Sequence, residues 1–265
     1  MGYQPRRGSS VAAAQSSFVW YELLSTDLAA AKAFYARVVG WNMQDMPMPG
    51  MTYTILRAGD TQVGGMVALS SAARDGGMEP GWIGYVGVPD ADSAAAKVKR
   101  LGGAVLKEPA DIPNVGRFAV AADPQGAVFN LFKPAQAGEP AVSNEPGRIG
   151  WRELHASDWS KAFDFYAEMF GWSQGDAVDM GSMGTYQLFK IGGIALGAMF
   201  NSPAALTQRF WLYYFNVGDI DAASDRITAG GGKIMLPPQQ VPGGGWIVQA
   251  QDPGGAAFAL LGARK

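Results

Sequence analysis

Two short stretches hold the residue types that could do chemistry: WYELLSTD, from Trp20 to Asp27, and WRELHASD, from Trp151 to Asp158. Each sets a Trp and a Glu two residues apart, and the second adds the chain's one histidine, His155. At the two-residue period of a β-strand, Trp20, Glu22 and Leu24 share one face, and Trp151, Glu153 and His155 share its counterpart. A carboxylate among indoles suits a planar, apolar ligand with one polar handle, or acid–base work by the carboxylate itself. Glu22, Glu153 and His155 are therefore the candidate catalytic residues. Only the second copy offers a Glu–His pair able to couple. Trp20 and Trp151 are candidate ligand contacts, with Trp82 and Trp211 at the start of later strands and Tyr85 and Tyr213 near them. Arg117, in the loop PNVGRF, could meet an anionic group. The plainer alternatives are two indoles filling a core, glutamates held by turn amides or an arginine, and an arginine that serves solubility.

The elements around these residues repeat. Residues 17–133 align with 148–262, and the stretch PAQAGEPAVSNEPG between them has the composition of an exposed linker. WIGYVGVPDADSAAAKVKRLGG answers WLYYFNVGDIDAASDRITAGGG, and AADPQGAVFNLF answers AQDPGGAAFALL. Within each half a strand, an amphipathic helix and three short strands follow one another, and then do so again. Ala30, Ala33, Phe34 and Val38 give the first helix its apolar stripe. Asp-Pro-x-Gly supplies a tight turn before each closing strand. A unit of this kind buries one face of its sheet, so units must pair to close a core. The expected class is α+β. The expected domains are 17–134 and 148–263, with a flexible tail over 1–16 and a linker over 135–147.

Composition narrows the function. With 17% charged residues, 48% hydrophobic residues and a net charge of −2, nothing marks a nucleic-acid partner. No apolar run reaches the roughly 18 residues of a membrane span. The N-terminal stretch lacks an apolar core typical of a signal peptide, and cysteine is absent, so the cytoplasm is the expected compartment. Thiolate metal sites and cysteine nucleophiles are excluded.

The W-x-E-L motifs and the segment EPADIPNVGRFAVAADPQGAVFNLFKP, Glu108 to Pro134, are similar to the vicinal oxygen chelate superfamily, which includes glyoxalase I, extradiol dioxygenases and bleomycin-resistance proteins. The tandem arrangement resembles the mycobacterial group of the glyoxalase-like secreted antigen, a likeness that leaves export without a signal peptide open. The resemblance implies two tandem glyoxalase-like domains, each of paired βαβββ modules curved into an eight-stranded cup with helices outside. It also implies metal positions on the first, fourth, fifth and eighth strands: the first, fifth and eighth fall on Trp20, Ile83 and Asn130 and on Trp151, Leu212 and Ala259, and the fourth lies within VGGMVAL and LGAMF, which offer no ligand. Indole, alkyl and methyl groups cannot ligate a divalent ion, which needs at least three protein donors. No divalent metal or other cofactor is expected. Three functions remain: a metal-free binder of a small aromatic or hydrophobic molecule; a metal-independent isomerase, cyclase or lyase using the cup glutamates; and an interaction scaffold with filled cups. The expected partner is a small molecule, bound by a monomer or homodimer.

Overall fold

The computed structural model describes residues 16–48, 50–136, 144–203 and 206–265. The expected tail, apart from Ser16, and residues 137–143 of the linker lie outside the described residues. The first half runs β1 (Phe18–Ser25), α1 (Leu28–Val38), β2 (Asn42–Met48), β3 (Met51–Ala58), β4 (Thr61–Ala68) and a short α2 (Ser71–Asp75). It continues with β5 (Gly81–Gly87), α3 (Ala91–Arg100), β6 (Ala104–Ile112), β7 (Gly116–Ala122) and β8 (Val128–Pro134). The second half repeats this as β9 (Ile149–Ala156), α4 (Trp159–Phe170), β10 (Ser173–Asp179), β11 (Thr185–Ile191) and β12 (Ile194–Asn201). Then come β13 (Phe210–Val217), α5 (Ile220–Ala229), β14 (Lys233–Gln240), β15 (Trp246–Gln251) and β16 (Ala257–Gly262). Among the described residues, only α2 and a single 3₁₀ turn at Gly181–Met183 go beyond the expected βαβββ pattern.

Each half forms one eight-stranded sheet, ordered β2-β3-β4-β1-β5-β8-β7-β6 and β10-β11-β12-β9-β13-β16-β15-β14. Strand β1 lies parallel to β4, and β5 to β8, because the helix after each first strand carries the chain over the sheet. The α+β architecture of two tandem eight-stranded sheets stands as the sequence implied. An aspartate starts every one of the four longer helices. Asp27, Asp90, Asp158 and Asp219 each accept a backbone N–H from the first turn, at 3.0 Å from Ala30 and 2.8 Å from Ser93 in the first half. Such a cap contributes about 1 kcal/mol. Helix α4 then stops at Gly171, whose φ of 71° a side chain would resist.

Packing groups the chain into two compact units that do not follow the two sequence halves. Among the described residues, one comprises 16–19, those within Gly84–Ala141 and those within Glu153–Trp211; the other comprises those within Trp20–Ile83, Val142–Arg152 and Leu212–Lys265. In the first unit Tyr166 is fully buried and stacks on Trp172 at 5.2 Å, which stacks on Phe189 at 4.5 Å. Trp211 meets Tyr166 edge-on and donates its indole N–H to the Tyr166 hydroxyl at 2.9 Å. That hydroxyl lies 3.2 Å from Oδ2 of Asp123. In the second unit Tyr35 stacks on Trp41, Trp82 donates to the Tyr35 hydroxyl at 2.8 Å, and the hydroxyl lies 3.2 Å from Oδ2 of Asp252. The aspartates are those of Asp-Pro-x-Gly, whose other oxygens accept the turn amides of Gln125 and Ala127 and of Gly254 and Ala256. Trp, Tyr and Asp thus tie strand, helix and turn together in each unit.

Candidate functional site

In the second half, Glu153 and His155 project from β9 and are 5% and 8% exposed, so every polar atom on them needs a partner. Glu153 Oε1 lies 3.0 Å from His155 Nε2. The Tyr186 hydroxyl, from β11, donates to Glu153 Oε2 at 2.8 Å. The imidazole is sandwiched by aromatic rings. Phe210 stacks on it at 4.5 Å and 10°, and Phe200 meets it edge-on at 4.7 Å. Nδ1 is buried and has no hydrogen-bond partner. A carboxylate that accepts from Tyr186 can take the Nε2 proton as its second donor, and in that neutral tautomer the lone pair is on Nδ1. The Ser202 hydroxyl, just past β12, is another buried polar atom without a partner, on a residue whose amide is bonded to the Ala156 carbonyl at 2.8 Å.

The first-half cluster is closed. Trp20 donates its indole N–H to the Tyr53 hydroxyl at 2.8 Å. Burial, followed by the negative charge and hydrogen bond of Glu22, pushes the Tyr53 phenol far above its ordinary value, so it remains a donor to Glu22. Gly65, paired in register with Glu22, leaves the room that the phenol fills: a methyl there would overlap the Tyr53 ring.

The structure brings Glu153 to His155, and Trp20 and Glu22 to Tyr53. Other expected ligand contacts lie elsewhere. Trp82 and Trp211 are 7% and 3% exposed and hold the core relays to Tyr35 and Tyr166, so strand alternation gives them to the helix side. Tyr213 is fully buried against Tyr21, ring centroids 5.1 Å apart. The residue in Tyr85's register position is Tyr214: Tyr85 pairs with Asn130 and Tyr214 with Ala259. Tyr85 packs on Phe132 and Phe118. Arg117 is clamped by Asp92, at 2.7 and 2.9 Å, and by Asp111 at 3.0 Å, which neutralises the charge offered to an anion. Sequence reasoning missed Tyr53 and Tyr186, although both stand second in a repeated Thr-Tyr pair, MTYTILR and GTYQLFK.

Of the six implied metal positions that fall on single residues, only Asn130 has a donor atom, a buried amide oxygen without a partner, and the fourth-strand stretches VGGMVAL and LGAMF hold no ligating side chain of His, Asp, Glu or Cys. Among the described residues no three His, Cys, Asp or Glu side chains gather into a group that could hold a metal ion. One neutral amide does not make a divalent site, so these residues do not fit the metal that the fold implies.

The family model of the Glyoxalase/Bleomycin resistance protein/Dioxygenase superfamily matches residues 17–131 and 148–260. A protein of Mycobacterium tuberculosis, "Putative glyoxylase CFP32", is 30% identical over 244 residues, covering 91% of this chain and 93% of that one. The anthracycline biosynthesis protein DnrV of Streptomyces peucetius is 29% identical over 266 residues, covering 93% of each. Among solved structures, a Mn(II)-bound glyoxalase from Novosphingobium aromaticivorans superposes with a TM-score of 0.64 at 15% identity, covering 94% of this chain and 83% of that one. A variant of homoprotocatechuate 2,3-dioxygenase from B. fuscum gives a TM-score of 0.65 at 17% identity, covering 94% and 71%. These two structures bear on the fold alone.

Proposed function

Since the chain belongs to the Glyoxalase/Bleomycin resistance protein/Dioxygenase superfamily, we propose that it binds a small, planar, aromatic or hydrophobic molecule without a divalent metal, at the Glu153–His155–Tyr186 cluster. The observation that carries this is the buried, unpartnered Nδ1 of His155 between two phenylalanine rings. A buried acceptor left unmade is costly, and a ligand hydroxyl would satisfy it. Phe200 and Phe210 supply flat apolar surface beside that acceptor, which selects a ring system over a flexible chain. The Streptomyces relative's name, which speaks of anthracycline biosynthesis, points to hydroxylated ring compounds of that kind.

Titration calorimetry with 2-hydroxy-1,4-naphthoquinone tests the reading. His155→Leu should weaken binding about tenfold, the value of one hydrogen bond to a polarised acceptor. Glu153→Gln should weaken it by a similar factor, since it releases the imidazole from its orientation. Glu22→Gln should leave affinity unchanged. Equal losses in the Glu22 and Glu153 variants would overturn the assignment. Elemental analysis should find no stoichiometric divalent ion, and a chelator should not lower the melting temperature. About one zinc, manganese or iron per half-chain would overturn the metal-free part.

The oriented Nδ1 lone pair also supports a second reading, a metal-independent acid–base enzyme in which His155 accepts a proton from the bound ring and Glu153 holds the resulting imidazolium. Turnover of a hydroxylated substrate that disappears in His155→Leu, while Glu22→Gln keeps it, would favour this over binding alone.

A further inference from the structure

Arg152 stands one residue after Trp151, where the first copy has Tyr21 after Trp20. It is 5% exposed. Its Nε donates to the Tyr21 hydroxyl at 2.6 Å, and its guanidinium carbon lies 5.5 Å from the centroid of the Tyr21 ring. Tyr21 packs edge-on against the fully buried Tyr213. Nη1 is buried and has no partner. Among the described residues no ion pair includes Arg152. Its strand neighbour Glu153 alternates to the other face of β9 and is bonded to Tyr186 and His155.

An arginine cannot escape burial by releasing its proton. A guanidinium taken out of water needs a counter-charge and good hydrogen bonds, and this one has a phenol. Burial raises the Tyr21 phenol above its ordinary value, more than Arg152 lowers it, so Tyr21 stays neutral and is no counter-ion. We infer that Arg152, with Tyr21 beside it, forms a buried site for a small monovalent anion such as chloride, held at Nη1. The planar fork suits a small carboxylate or nitrate in two-point contact, and a single N–H at Nη1 suits a halide. The site lies on the strand face opposite Glu153 and His155 and does not depend on the ligand proposed above.

Two measurements on the full chain test this. The melting temperature is followed as sodium bromide replaces sodium gluconate at constant ionic strength, for wild type, Arg152→Met and Tyr21→Phe. Wild type should gain about 3 °C at saturating bromide, because the anion binds only the folded state. Arg152→Met should gain none, and Tyr21→Phe, which keeps the charge, should retain the gain. General salt effects are common to all three and cancel in the comparison. Anomalous diffraction from bromide-soaked wild-type crystals should place one peak against Nη1, a result that stands even if Arg152→Met fails to fold. An identical bromide response in wild type and Arg152→Met, or a water against Nη1 in place of bromide, overturns the proposal.

Discussion

The Trp20–Glu22–Tyr53 cluster and the Glu153–His155–Tyr186 cluster start from the same W-x-E-L strand and reach opposite ends. In both, a tyrosine from the third strand of the module bonds the glutamate. In the first, an indole N–H fills the acceptor site of that tyrosine, so each polar group named satisfies another. In the second, the glutamate has an imidazole as its further partner, and the chain of bonds ends on a buried nitrogen that bonds nothing. On the face of the W-x-E-L strand one substitution separates them, Leu24 in the first copy and His155 in the second, and on a neighbouring strand Gly65 stands against Ala198. A shared scaffold therefore carries a satisfied clamp in one copy and a buried unpartnered nitrogen in the other.

The largest difference should appear when the carboxylates are removed. Glu153→Leu takes an acceptor from the half-buried Tyr186 phenol and strands a buried imidazole, and should cost about 3 kcal/mol in urea unfolding. Glu22→Leu should cost about 1 kcal/mol, because Tyr53 is half-buried and keeps its bond from Trp20. Equal losses would mean that the two clusters are energetically alike and that the histidine adds nothing.

Position 65 sharpens the comparison at the next level. Tyr53 lies over Gly65, whereas the register equivalent in the second half is Ala198, fully buried. With a methyl already in that place, Tyr186 packs instead on Phe200, ring centroids 5.8 Å apart. Gly65→Ala should push the phenol off its seat, cost about 2 kcal/mol, and shift the Trp20 indole N–H resonance. Ala198→Gly should cost under about 1 kcal/mol and leave the His155 resonances in place. A silent Gly65→Ala would show that Tyr53 has freedom the packing denies it.

Much of this fold was legible in the chain, and its limits are physical. The four βαβββ units follow from apolar periodicity, and the aspartate that opens each helix is visible as a cap before an apolar stripe. The face shared by Glu153 and His155 follows from strand alternation alone. The tyrosines that complete both clusters did not, because they arrive from 33 residues beyond Trp20 and Glu153 and nothing local ties them to the glutamates. Trp82 and Trp211 were read as ligand contacts because an aromatic at the start of a strand looks the same whether a ligand or a helix tyrosine receives its N–H. Tyr85 and Tyr213 look alike in the sequence, yet the register equivalent of Tyr85 is Tyr214, and a one-residue shift along β13 exchanges the faces. The grouping into compact units was invisible for a related reason. The helices of the two halves carry such similar aromatic pairs, Phe34–Tyr35 and Phe165–Tyr166, that either could serve either core.

The smallest effect tests whether the two halves are equivalent where they look so. Asp123 and Asp252 each close a Trp–Tyr–Asp relay, and burial holds both carboxyls above their ordinary value of 3.8 against the pull of the turn amides and the tyrosine. An acid whose folded value is raised holds its proton more tightly folded than unfolded. Its contribution to stability is thus complete below about pH 4 and lost as pH rises through the folded values. The exposed aspartates Asp45, Asp90, Asp92 and Asp158 are lowered by their partners and act in the opposite sense. They remain in every variant, so differences from wild type isolate the relays. Asp123→Asn and Asp252→Asn each keep an oxygen for the turn amides and lose the titration. Each should therefore remove a decline in stability above pH 4 of the order of 1 kcal/mol or less, read from urea midpoints between pH 3.5 and 7. The twin geometries, 3.2 Å from tyrosine to carboxylate in both, require the two decrements to match. If one variant flattened the profile and the other did not, the relays would differ in their charge state, and the asymmetry between the halves would extend from the strand face into the core.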